Sequence, residues 1–320
     1  MGNSTPREIT GWADWLKPQR NRLLVLMVMA AIAMVIPLMA NNYVIEVLTN
    51  AWFYTILCLG LNIVVGYAGL LDLGYAAFFA VGAYTTGILT SKFGMNFWLT
   101  IPVAVSCSML AGIIIGGPTL RLRSDYLAIV TLGFGEIVRI VARNLEITGG
   151  ASGLIGIERP VFFGIELSKG IHFYYVFLLL AICACYVSYR LQDSRLGRAW
   201  QYVREDEDAA EAMGIDRVGV KLYAYVIGAM FGGIAGCFFA AKMTAISPET
   251  FTFSQSVLIL LGVVMGGMGK IPGVIVGAFA LVLFPEVFRG VGSMRMLIFA
   301  IVMLVIMLYR PEGIWPRTKS

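Results

Sequence analysis

Charge is what this sequence has least of. Only 13% of its 320 residues are Asp, Glu, Lys or Arg, about half of the roughly 25% usual in soluble domains. That shortfall places the chain outside the soluble globular class, and a net charge of +5 points to no nucleic-acid partner. Cysteine is also scarce. Cys58, Cys107, Cys183, Cys185 and Cys237 show neither the framework of a disulfide scaffold nor the spacing of a metal site. They read as small apolar fillers, and neither metal nor cofactor is expected. The first 22 residues lack the pattern of a secretory signal. Ile9, Trp12 and Trp15 recur there at three-residue spacing, which suits a short helix lying in the membrane interface.

Apolar sequence is what the chain has in abundance, at 59%. Repeated charge-free runs near the length that crosses a bilayer predict a polytopic membrane protein. The runs must be helices, because backbone groups in lipid have to pair internally. A β-barrel would show short alternating segments instead. Ten spans are expected: Leu23–Ala40, Val47–Gly66, Leu73–Ser91, Phe97–Gly117, Tyr126–Arg143, Ile171–Tyr189, Leu222–Ala241, Ser256–Met268, Val274–Phe288 and Met296–Tyr309. The last three are short and can be broken or packed deep within protein. The fold class is therefore all-α and polytopic. It comprises an N-terminal segment 1–22, a membrane domain 23–309 and a tail 310–320.

With the N-terminus inside and strict alternation, 16 of the 24 bases fall on the cytoplasmic side. That excess places both termini in the cytoplasm. The polar segment 144–170 is then external and Gln192–Lys221 internal. Glycine pairs four apart (Gly112/Gly116, Gly228/Gly232, Gly232/Gly236, Gly262/Gly266, Gly273/Gly277) allow close helix approach, within the chain or at a subunit seam. A weak echo links Gly135-Glu136-Ile137-Val138-Arg139 with Pro285-Glu286-Val287-Phe288-Arg289, and internal repeats are common in transporters.

The run Gln192–Lys221 stands apart, with seven acids and five bases between apolar spans. Gly197 to Met213 lacks proline and is rich in Ala, Arg and Glu, which predicts one helix. Ser194 suits its N-cap and Gly214 its C′ position. Ala199, Val203, Ala210 and Met213 would form its apolar stripe. A connector of about 30 residues is long for a simple link, so a partner is expected to dock there.

Several stretches carry a family resemblance: Leu61–Leu89, Arg121–Asn144, Thr148–Ile157, Gly197–Asp216 and Leu260–Ala278. Together they resemble the LivM-type permease subunit of branched-chain amino acid ABC importers. The resemblance implies ten helices arranged as in the vitamin B12 importer class. It also implies a loop that docks on an ATPase, carried here by Asp208-Ala209-Ala210-Glu211-Ala212-Met213-Gly214, where Asp208 departs from the family's glutamate. The coupling residues expected are Gly197, Arg198, Arg204, Glu205, Glu207, Asp208, Glu211 and Gly214. The implied partners are a LivH-type second permease, two ATP-binding subunits, a periplasmic amino-acid-binding protein and membrane lipid. Related permeases carry urea or amides, and that alternative stays open, as does a self-sufficient carrier or channel.

The chain itself is not expected to hydrolyse ATP. Gly269-Lys270 is its single Gly-Lys pair, but Val264 stands where a phosphate-binding loop needs Gly and Ile271 where it needs Ser or Thr. Gly150-Ala151-Ser152-Gly153 matches the nucleophile motif of rhomboid proteases, with His172, the only histidine, 20 residues on. Such a dyad needs direct hydrogen-bond contact, and an external polar loop is the plainer reading. Polar residues in or beside the spans are candidates for the translocation path: Asn62, Asp72, Tyr75, Tyr84, Glu136, Arg139 and Glu286. Helix–helix hydrogen bonds and interfacial ion pairs are the plainer alternatives. Arg143, Arg159, Arg289 and Arg295 could dock the binding protein through salt-sensitive pairs, or simply anchor the chain at the interface.

Overall fold

The computed structural model describes residues 33–34, 36–37, 40–119, 124–162, 165–167, 169–292, 294–309 and 313–314. The expected interfacial helix at 1–22 and most of the first span lie outside the described residues, as does the end of the tail. Eleven helices of the described part are labelled here in chain order. They are α1 (Asn42–Leu61), α2 (Ala76–Ser91), α3 (Phe97–Thr119), α4 (Ser124–Asn144), α5 (Gly170–Gln192), α6 (Arg195–Glu205), α7 (Glu207–Ala212), α8 (Arg217–Met243), α9 (Phe253–Gly266), α10 (Ile271–Val287) and α11 (Met294–Tyr309). A π-helical turn, Asn62–Tyr67, continues α1.

Among the described residues, five stretches are long and apolar enough to cross a membrane: Asn42–Tyr67, α3, α5, α8 and Pro248–Gly266. Helices α2 and α10 are apolar but shorter. The described part is thus mostly helical, as the expected polytopic fold requires; five of its stretches qualify as spans by length and composition, where ten were expected of the whole chain. Helix α4 has the length, but it carries Glu136, Arg139 and Arg143 in its second half.

The helices run alternately between two ends of the bundle. Helix α1 ends where Tyr67 stacks on Trp200 of α6, and α8 rises from that same end. The chain returns there after α11, where the Ile314 amide donates to the Met265 carbonyl. The opposite end carries two small antiparallel ladders. The first pairs β1 (Leu154–Ile155) with β4 (Ala245–Ile246), and the second pairs β2 (Val161–Phe162) with β3 (Ile165–Glu166). The external polar segment expected at 144–170 is therefore compactly folded where it is described, not a plain loop.

Helix α8 is the central post. Its Gly228 lies on Val64, Gly232 on Phe78, and Gly233 on Ser108 of α3. A Cβ at Gly228 or Gly233 would require a neighbour to shift, and one at Gly232 would be crowded. On the other flank, Gly277 of α10 lies against Gly266 of α9. These glycines bring helices of this one chain together, through backbone proximity that lipid alone would not drive. An aromatic cluster fills the space between: Phe53 meets Phe79, Phe177 and Phe239.

Between the π turn and α2 the chain is non-helical yet largely buried, with Asp72, Gly74 and Tyr75 covered and Gly69 and Leu71 exposed. Gly74 lies directly on the backbone of Thr131 in α4, whose hydroxyl accepts from the Leu73 amide at 3.1 Å. The Ala76 amide donates to Ser256 Oγ at 2.9 Å. Irregular backbone at this depth is tolerated because neighbouring side chains satisfy its polar groups.

Candidate functional site

The charged loop folds as a capped, anchored unit. Ser194 Oγ accepts from the Gly197 amide at 3.1 Å, opening α6. The single helix expected over Gly197–Met213 breaks at Asp206, whose backbone is extended (φ −155°, ψ 110°). Its carboxylate accepts from the Asp208 and Ala209 amides, each at 3.0 Å, and so caps α7. A short acid that can bond its own backbone favours a cap over a helix interior. Gly214, at φ +84°, closes α7: its amide donates to Glu211 and the next one to Ala210, a Schellman ending that favours glycine. Asp216 then caps α8 through the Val218 and Gly219 amides.

The loop is pinned to the bundle at three points. Trp200 is fully buried, donates to the Val220 carbonyl at 2.7 Å and stacks on Tyr67. Lys221, 2% exposed, pairs with Glu207 at 2.6 Å. An ammonium buried so deeply costs several kcal/mol without a counter-ion, so Glu207 is bound inward. Arg204 Nη1 donates to the Gly66 carbonyl in the π turn. Gly69, at φ +71°, lies against the stem of the same arginine, with no room for a Cβ.

The eight expected coupling residues therefore divide. Gly197, Arg204 and Glu207 face the bundle; Arg198, Glu205, Asp208, Glu211 and Gly214 face outward. Arg217 sits beside Glu211 at 3.1 Å and Asp208 at 3.6 Å. Met213 was expected on the buried stripe with Val203 and Ala210, but it is 84% exposed. The break at Asp206 rotates α7, and a stripe extended across it misplaces Met213. Together with exposed Tyr202 it gives the outer face two large apolar groups.

Of the expected path residues, Asn62, Asp72, Tyr75 and Tyr84 are buried. Asn62 Oδ1 accepts from the Gly269 amide at 2.8 Å, and Tyr75 donates to the Gly228 carbonyl at 2.9 Å. Asp72 accepts from the Gly74 amide at 2.8 Å through one oxygen, while the other has no protein partner among the described residues. The same holds for the hydroxyls of Tyr84 and Tyr225. Asp72 is an electrostatic neighbour of both Tyr75 and Tyr225, so these three share one buried region.

Glu136, Arg139 and Glu286 belong elsewhere, at the end opposite the charged loop. Arg139 bonds Glu136 at 2.8 Å and reaches Glu249 at 3.2 Å, which also lies 3.7 Å from Arg143. Glu286 lies 3.7 Å from Arg289, which covers the Tyr43 ring at 4.8 Å. The two echoed motifs thus form equivalent i,i+3 pairs. Arg159 is exposed at this end, and the Arg295 side chain lies outside the described part. Sequence reasoning missed buried Lys242, which reaches half-exposed Glu46 at 2.6 Å and Asn50 at 2.8 Å and so ties α8 to α1. A lysine near the end of an apolar span was its one signal. Among the described residues no hydrogen bond joins exposed Ser152 to His172.

Comparison with known proteins adds identity to this geometry. The family described as branched-chain amino acid transport system / permease component matches residues 43–308. The high-affinity branched-chain amino acid transport system permease protein LivM of Escherichia coli (strain K12) is 42% identical, with 99% of this chain and 80% of that protein covered. LivM of Salmonella typhimurium is also 42% identical, over 92% of this chain and 75% of its own. LivH of Salmonella typhimurium, named as a permease of the same kind of system, is 21% identical over 83% and 92%. No solved structure matches.

Proposed function

This chain belongs to the branched-chain amino acid transport permease family, and on that footing we propose how it works as the permease subunit of an ABC importer for branched-chain or other hydrophobic amino acids. The protein performs no covalent chemistry of its own. It sits as a multi-pass protein in the inner membrane with both termini and the charged loop in the cytoplasm. A LivH-type permease completes the path, consistent with the likeness to LivH. Two ATP-binding subunits drive the cycle, and a periplasmic amino-acid-binding protein delivers the substrate to the opposite end.

The observation that carries this reading is the build of the loop. It is capped at Ser194, Asp206 and Asp216 and clamped by Trp200 and Lys221. A load applied to such a unit reaches the helices instead of being lost in bending. Its outward face offers Asp208, Glu211, Tyr202 and Met213 to the ATPase. ATP-driven closure of the ATPase pair moves the loop and tilts α5 and α8, which flank it. At the far end, Arg143, Arg159 and Arg289 offer positive charge to the binding protein.

The test is reconstitution. The chain with its second permease, ATPase subunits and binding protein is expected to take up leucine in an ATP-dependent manner. The permease chains alone should show none. Leucine uptake by this chain alone in proteoliposomes would instead establish a self-sufficient carrier.

A further inference from the structure

Beneath the loop, four segments distant in sequence meet around the π turn Asn62–Tyr67. Arg204 donates to the Gly66 carbonyl from the loop side, and Tyr67 stacks on Trp200 at 6.4 Å while reaching Gln192 at 3.4 Å. From within, Asn62 Oδ1 accepts from Gly269 in the α9–α10 turn at 2.8 Å. Gly66 and Gly269 are themselves in contact; Gly66 leaves no space for a side chain, and Gly269 is held at φ +84°, where glycine is favoured. On the other side of that turn, Gly313 lies against Gly267 and Ile314 donates to Met265 at 2.8 Å. A π turn is a rare widening of a helix that recurs at functional sites. Here it is buried throughout.

We propose that Asn62 and Arg204 are positioning residues for transport: Arg204 passes the movement of the loop to the π turn, and Asn62 passes it on to the α9–α10 turn. The inference rests on the reading of the loop as the ATPase dock. Three observations support it. The Arg204 head is directed to the bundle, unlike Asp208 and Glu211 of α7. The Asn62–Gly269 bond is a side-chain hydrogen bond from the π turn to the α9–α10 turn, and the Arg204 head lies beside the same Gly269. The Asn62 Nδ2 is buried without a protein partner among the described residues. Leaving a buried amide half-bonded is costly, and it is what a residue with a second arrangement requires. Movement of Gly269 relative to Asn62 would give Nδ2 its acceptor in the other state. Arg204 and Asn62 thus act through other groups.

Two variants test this in the assembled importer. Arg204→Met keeps the stem that packs on Gly69 and removes the donor; Asn62→Leu keeps the volume and removes the acceptor. Each is expected to retain ATPase subunits at wild-type stoichiometry and to hydrolyse ATP, while leucine imported per ATP falls by at least about fivefold, the low end of typical coupling between sites. Arg204→Lys, which keeps charge and stem, should retain part of the coupling. It serves with Asn62→Ser if either first variant fails to insert. An unchanged ratio of leucine to ATP overturns the proposal. So does loss of ATPase from the Arg204→Met complex, which would make Arg204 a docking contact. Absence of ATPase from the wild-type preparation would instead sink the reading of the loop, and this proposal with it.

Discussion

Reversing charge at two adjacent acids of the loop should have two different consequences, because their side chains point opposite ways. Glu207 lies 2.6 Å from the ammonium of Lys221, which is 2% exposed, while Asp208 is 95% exposed and 3.6 Å from Arg217. Unit charges about 4 Å apart interact by about 4 kcal/mol at an effective dielectric near 20. Glu207→Lys turns that attraction into repulsion beside a charge that cannot reach water. Glu207 is itself 38% exposed, so the new lysine can swing outward. The net loss is then about 2–3 kcal/mol, below the range for fully buried pairs. Asp208→Lys breaks only an exposed pair, worth under about 1 kcal/mol. Thermal unfolding in detergent and co-purification of the ATPase separate the two. Glu207→Lys should lower Tm by several degrees and weaken ATPase capture, because the dock is distorted. Asp208→Lys should leave Tm within about a degree yet still reduce capture. Equal Tm values for the two variants would refute the inward placement of Glu207.

Other consequences follow from the same geometry. Glu46→Ala leaves Lys242, which is 8% exposed, with the Asn50 oxygen alone, and should cost about 1–3 kcal/mol; Glu46→Leu with Lys242→Met should recover most of it, read by the same unfolding curves. Gly214→Val forces a branched side chain to φ +84°, at a cost of about 1–2 kcal/mol, and should reduce ATPase capture with the bundle still inserted. Ser152→Ala should leave leucine uptake intact, since no dyad supports a protease; complete loss of uptake would reopen that reading.

Local chemistry was legible in the sequence, and distant pairing was not. Ser194 and Gly214 were readable as helix caps because capping depends on a few adjacent residues. The Glu136–Arg139 and Glu286–Arg289 pairs followed from helical spacing. The break at Asp206 was hidden because Ala- and Glu-rich flanks favour one helix by propensity, while a single capping carboxylate decides otherwise. Met213 was misplaced for that reason alone. Contacts such as Asn62–Gly269 and Lys242–Asn50 join residues 207 and 192 positions apart, and no local pattern announces them. The inward turn of Arg204 and Glu207 was invisible for a related reason: a charged run reads as uniformly solvated until the buried ammonium of Lys221 and the π turn are in place.

The placement of the loop can be measured directly by single-cysteine labelling in a background lacking the five native cysteines. Met213→Cys reports on the loop, at 84% exposure, and Ile155→Cys on the opposite end, at 76%. A membrane-impermeant maleimide should label position 213 only in inside-out vesicles and position 155 only in intact spheroplasts. Labelling of position 213 from outside intact spheroplasts would contradict a cytoplasmic, ATPase-driven loop.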